Sequence, residues 1–192
     1  MRICVSQHPS RLIFLVCYAC FGSLYPLRDT LAVEPSLLLQ PGNHIAYIGN
    51  TMADRMQHHG WLETYLHALF PRHALTFRNL GFAADQVAER PRSANFGDAN
   101  QWLTKCKADV VFCFFGYNEA LRGPSKLPKF ESELTKMIRE MRSQQYQGQS
   151  PPRLVLFSPI AHENLSSPHL PDGKQNNENL KQYTNAMQRV CS

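Results

Sequence analysis

Four short segments of this 192-residue chain carry the residue types that acyl transfer needs. Gly49-Asn50-Thr51 places a hydroxyl where a β-type run gives way to a helical pattern. A hydroxyl at a helix N-terminus lies among backbone N–H groups that have no intrahelical partner, and such donors stabilise a developing oxyanion. Asn118, in Gly116-Tyr117-Asn118-Glu119, offers a further amide donor, and the loop from Gly81 to Asp85 offers more backbone. His162, after a later β-type run, is the histidine nearest in pattern to this group. Each residue also has a plain structural use. Thr51 suits an N-cap, Gly81 and Gly116 suit turns, Asn118 can tie down a loop, and His162 can be hydrogen-bonded within its own loop.

Elements that hold these residues in place follow from the hydrophobic pattern. From His44 onward, β-type runs alternate with helical patterns, the signature of a parallel sheet with crossover helices. The runs at 45–48, 75–80, 109–115 and 153–158 are the four expected strands. The third is apolar on both faces, which marks a central strand covered by helices on each side. Helices are expected over 52–70, with Gly60 as a weak point inside, over 98–107, over about 130–145 and over 177–190. Pro71 closes the first of these. Ligands of an open parallel sheet bind at the carboxyl ends of its strands, so all four segments are expected to share one rim.

Composition bounds the rest. A hydrophobic share of 43% supports one buried core in one domain. Residues 1–34 read as an export segment. Arg2 and Arg11 precede an apolar run at 12–24 that is too short to span a bilayer, and small residues near Ala32 offer a cleavage point. The expected mature domain is 35–192, exported to a periplasmic or extracellular space, with no stable membrane span after cleavage; the N-terminal mass of the exported protein checks this. The net charge of +5 is scattered, with no basic run of five, which argues against a nucleic-acid partner. Cys106, Cys113 and Cys191 have no metal-like spacing, and no cofactor or metal is implied. Cys113, in an apolar run, reads as a small core residue.

Order and placement together resemble the SGNH (GDSL-type) hydrolases. Gly49-Asn50-Thr51 resembles that family's first block, Gly-Asp-Ser; Asn79-Leu80-Gly81-Phe82-Ala83-Ala84-Asp85 resembles its second; Gly116-Tyr117-Asn118-Glu119 resembles its third, Gly-x-Asn-Asp. The resemblance implies a three-layer, flavodoxin-like α/β fold and a small ester or acylated-sugar substrate. It makes Thr51 the nucleophile, with oxyanion donors from the Thr51 backbone, Ala84 and the Asn118 side chain. Gly49, Asn50, Gly81, Asp85, Gly116, Glu119 and His162 then form the supporting rim.

This sequence departs from the family pattern in several places. Threonine replaces serine, and its methyl group stiffens χ1 and crowds attack. Asn50 replaces an aspartate, Glu119 replaces another, and Ala84 replaces a glycine, which strains the loop if that position needs a positive φ. The family's Asp-x-x-His block, which supplies the catalytic base, follows a fifth strand, and this sequence stops before it. The expected consequences are weak hydrolysis and a bare edge on the fourth strand, open to self-association. The alternative is a non-catalytic ligand- or glycan-binding protein on the same scaffold.

Overall fold

The computed structural model describes residues 3–5, 37–91 and 95–191. Strands β2 (His44–Gly49), β3 (Thr76–Asn79), β4 (Val110–Phe114) and β5 (Arg153–Phe157) form a parallel sheet. A short strand β1 (Ile3–Val5) pairs antiparallel with β5, giving the order β1-β5-β4-β2-β3. The helices are α1 (Thr51–Met56), α2 (Trp61–Leu69), α3 (Ala99–Lys105), α4 (Tyr117–Ala120), α5 (Leu127–Arg142) and α6 (Lys174–Cys191).

The pleat divides the core into two layers. Ile45, Tyr47, Val110, Phe112, Phe114, Val155 and Phe157 point one way and pack with Ala53 of α1 and Leu66 of α2. Ala46, Ile48, Val111, Cys113, Leu154 and Leu156 point the other way, against α3, α5 and α6. Alternate residues of each strand thus meet opposite helix layers, which is why these strands read as continuous apolar runs. The first layer is held by aromatic rings: Tyr47 stacks on Phe112 at 5.6 Å and Phe114 on Phe157 at 4.4 Å.

Several elements differ from the sequence expectation. The helix expected over 52–70 is two helices, because Gly60 takes φ 58° and becomes the N-cap of α2. Helix α5 begins before the expected position, with Pro128 in its first turn, where a missing N–H costs nothing. Helix α4 was not expected at all. The edge of β5, expected to lie bare, carries β1 along Val155–Phe157. Apart from this strand, the expected export segment 1–34 lies outside the described residues.

Candidate active site

The first block is built around two tight approaches. Gly49 ends β2 with φ 132°, opposite Phe114 in register, and a Cβ there would lie 2.2 Å from the Phe114 carbonyl oxygen. Only glycine lets β2 turn into α1 at this distance from β4. Asn50, 4% exposed, is the N-cap: its Oδ1 accepts from the Met52 N–H at 3.1 Å, and its own N–H donates to the Phe114 carbonyl at 2.9 Å. With the cap role taken by Asn50, the Thr51 hydroxyl is left exposed and has no hydrogen-bond partner among the described residues. Thr51 therefore is not the N-cap that its position allowed.

The second block is tied to the first and to its flanking residues in β2 and α1 by three bonds. The Asn79 amide donates to the Ala53 carbonyl at 2.6 Å, the Leu80 N–H to the Tyr47 carbonyl at 2.8 Å, and the Phe82 N–H to the Gly49 carbonyl at 2.9 Å. Asn79 Oδ1 also accepts from the Gly81 N–H at 2.9 Å. Gly81 is pressed against α1, where a Cβ would meet that of Ala53 at 2.4 Å. Ala84 takes φ 72°, in the left-handed region that costs an L-residue roughly 1–2 kcal/mol. The strain foreseen for alanine at this position is present. Ala84→Gly is accordingly expected to stabilise the fold by up to about 1 kcal/mol, once the extra chain entropy of glycine is subtracted. Thermal unfolding checks it; a lower melting temperature contradicts it.

The third block is locked to the second. Gly116, with φ 99°, opens α4. The Glu119 carboxylate, 5% exposed, accepts from the Gly116 N–H through Oε2 and from the Val87 N–H through Oε1, both at 2.9 Å. Burial raises its pKa, against the opposing pull of these backbone donors. The Asn118 amide donates to the Asp85 carbonyl at 3.2 Å. The second block is thus hydrogen-bonded to both the first and the third.

Thr51 and Asn118 line one cleft of about 690 Å³ at the carboxyl ends of β2, β4 and β5. Its walls are mostly apolar, from Met52, Met56, Leu62, Phe114, Phe157 and Ile160, with Arg55, His59 and Tyr117 as the charged or titratable side chains. Ala84 does not line this cleft; it sits exposed on the loop beside it, one residue before the carbonyl that Asn118 holds. Gly81 and Asp85 face a second pocket instead.

His162 is elsewhere. The loop after β5 folds back onto α6, where Asn177 accepts from the His162 N–H at 2.7 Å and donates to its carbonyl at 2.9 Å. Nδ1 of His162 lies 3.0 Å from the Asn176 amide, and the ring packs against Gly173. This histidine belongs to a loop clasp and does not share the rim with Thr51. Cys113 is a core residue, 1% exposed, and burial pushes its thiol up to about 12, so it is no nucleophile near neutral pH.

Arg55, His59 and Trp61 are cleft residues that the sequence reading missed. Their positions read as the surface of one long helix, and the break at Gly60 turns Trp61 to the cleft mouth. Among the described residues, no group of three or more His, Cys, Asp and Glu side chains is placed to hold a metal ion, and no helix is long and apolar enough to cross a membrane.

This sheet order, with three hydrogen-bonded blocks at one rim, is the fold of the SGNH-type hydrolases. Solved structures similar to it include an acetyl xylan esterase from Geobacillus stearothermophilus, at 16% identity and a TM-score of 0.57, covering 79% of this chain and 73% of that one. A lipase/acylhydrolase from Enterococcus faecalis matches at 19% identity and a TM-score of 0.52, over 77% of this chain and 70% of that one. A gut microbial diltiazem-metabolizing enzyme matches at 18% identity and a TM-score of 0.56; this chain spans only 35% of its length. No protein-family model and no curated protein sequence matches the chain.

Proposed function

We propose that the 690 Å³ cleft is the acyl-transfer site of an ester hydrolase, with Thr51 as nucleophile. One observation carries this reading: the Thr51 hydroxyl, left unpartnered by the Asn50 cap, opens onto the same cleft as the Asn118 amide. The oxyanion donors are the Thr51 N–H at the start of α1 and the second Asn118 amide hydrogen, the first being spent on Asp85. The Ala84 N–H, unengaged on the adjoining loop, completes the set if the loop turns inward on substrate binding.

In the mechanism, the hydroxyl attacks the ester carbonyl, the tetrahedral oxyanion is held by these donors, and the alcohol leaves from an acyl-threonine that water then hydrolyses. The proton of the hydroxyl must go to a base. His59 is the histidine that lines the cleft among the described residues; it lies past the end of α1 at Met56, and no hydrogen bond joins it to the Thr51 hydroxyl. Turnover by the described residues therefore rests on positioning and the oxyanion site, and losing a base costs orders of magnitude in rate.

The experiment is hydrolysis of p-nitrophenyl acetate. Thr51→Ala should return the rate to that of buffer, and Thr51→Ser should raise it roughly tenfold by removing the crowding methyl group. Equal rates in all three proteins would sink the assignment. The second reading, a non-catalytic binder of small esters or glycans, is favoured by the Asn118 bond to Asp85, since that amide then serves as a loop tie. Saturable ligand binding in the cleft without turnover is its signature.

A further inference from the structure

The cleft at Thr51 is larger and more apolar than transfer of an acetyl group requires. Its volume of about 690 Å³ equals the share of roughly twenty waters in the liquid, at about 30 Å³ each. Phe114 and Phe157, stacked at 4.4 Å and almost wholly buried, close its base. Helix α1 supplies a long wall. Met52, Arg55 and Met56 recur at the spacing of three and four that puts side chains on one helix face, and Thr51 opens the same helix. From Thr51 to Met56 the wall runs about 8 Å along the helix axis. The mouth is apolar too: Trp61 is 78% exposed and Ile160 58%, and both line the cleft. Large apolar side chains left in water around a concave apolar site mark a ligand groove.

Hydrogen bonding selects the occupant. Thr51, Tyr117, Asn118 and Ser158, which follow the carboxyl ends of their strands, give the cleft a polar end suited to an ester group. Along α1 and beyond it the polar side chains are Arg55 and His59, both exposed. A sugar laid there would leave most of its hydroxyls facing methionine and aromatic carbon without partners. A straight hydrocarbon chain needs no partners. The two methionines adapt to its shape, and Arg55 can lay its stem on it while the guanidinium stays in water.

We infer that the cleft takes a straight, medium-length acyl chain, laid along α1 from Thr51 toward Met56 and Trp61 and covered by Ile160. Its length is on the order of eight carbons, set by the wall of about 8 Å and the mouth beyond it. With the ester carbonyl at Thr51, the direction of the chain rests on the acyl-transfer reading. The affinity of the wall for the chain does not.

Trp61 reports occupancy directly, since Trp102→Phe leaves it the one tryptophan of the chain. In the Thr51→Ala, Trp102→Phe protein, which lacks the proposed nucleophile, 1-octanol should shift the Trp61 emission saturably to shorter wavelength. It should bind at least ten times more tightly than 1-butanol, about half the gain of fully burying four more CH2 groups. Ile160→Ser, at an exposed position, should weaken octanol binding at least threefold with the melting temperature nearly unchanged. With Thr51 intact, p-nitrophenyl octanoate should be hydrolysed with kcat/KM at least tenfold above that of p-nitrophenyl acetate. The inference is overturned by the absence of a saturable octanol response, by equal affinity for the two alcohols, or by methyl xyloside saturating in place of octanol. Undiminished octanol binding in Ile160→Ser, or octanoate hydrolysed no faster than acetate, also overturns it. Tight octanol binding with neither ester hydrolysed would remove the acyl-transfer reading and leave the chain site; hydrolysis of acetate at Thr51 without octanol binding would do the reverse.

Discussion

Gly49→Ala is expected to cost about 4 kcal/mol or more, enough to leave most molecules of an ordinary domain unfolded on mild warming. The added methyl carbon would stand 2.2 Å from the Phe114 carbonyl oxygen and 2.7 Å from its carbon, both backbone atoms of the central strand. Neither can rotate away, because β4 is paired on both sides, to β2 and to β5. Gly60→Ala is the matched control. Gly60 also has positive φ, at 58°, but a Cβ there meets nothing within 4 Å. It should cost only the left-handed strain, roughly 1–2 kcal/mol. Urea unfolding of the two variants separates steric closure from backbone strain. A Gly49→Ala protein within 1 kcal/mol of Gly60→Ala, on the scale of that strain, would show that the turn into α1 is looser than its contacts imply.

The next largest effect is expected at Glu119. Truncation to alanine leaves the buried N–H groups of Val87 and Gly116 without acceptors, at about 1–3 kcal/mol each, or roughly 4 kcal/mol together. Glutamine keeps one acceptor and sets an amide N–H against the other donor, so about half of that loss should remain. The pH dependence has a definite sign. Burial holds the Glu119 carboxyl above its ordinary value, and Asp85 is raised for the same first cause, with Arg90 pulling it back. A raised carboxyl binds a proton in the folded chain before it does so in the unfolded one. Their contribution to stability is therefore present below the ordinary carboxylate range and is lost as pH rises through the folded values. Glu119→Gln should flatten that part of the stability profile; a slope unchanged by the substitution would assign it to other groups.

Much of the frame was legible because it depends on residue type over short distances. The runs at 45–48, 109–115 and 153–158 are apolar except at Asp109, Arg153 and Ser158, and their alternate residues do meet different helix layers. Ala84 marked strain, because a Cβ obeys the same local limits in any fold, whereas Gly49 and Gly81 were read as motif and turn residues and their close approaches emerged only with the fold. The break at Gly60 was harder. A glycine within a helical pattern can be tolerated or can cap, and the choice depends on how 61–69 packs on the sheet, which no local spacing records. The same break hid Arg55, His59 and Trp61 as cleft residues. His162 was misplaced for the opposite reason: its rim position after β5 was plausible locally, but Asn176 and Asn177, more than a dozen positions on, capture it. The pairing of Ile3–Val5 with β5 joins positions about 150 apart, beyond any periodicity argument.

Glu119 shows how the site and the fold share residues. Its carboxylate fastens the third block to the second, and the adjacent Asn118 holds Asp85, so the loop that carries Ala84 is gripped from two neighbouring positions of α4. A loop so held keeps the strained alanine in place. An inward turn of that loop would have to break one of these two holds.

The central claim is that the Thr51 hydroxyl takes the acyl group. The direct measurement is peptide mass mapping after brief exposure to p-nitrophenyl acetate and acid quench. The account predicts an added acetyl group on the peptide containing Thr51, absent when Thr51 is alanine. Acetylation confined to lysines, with an unmodified Thr51 peptide, would contradict it.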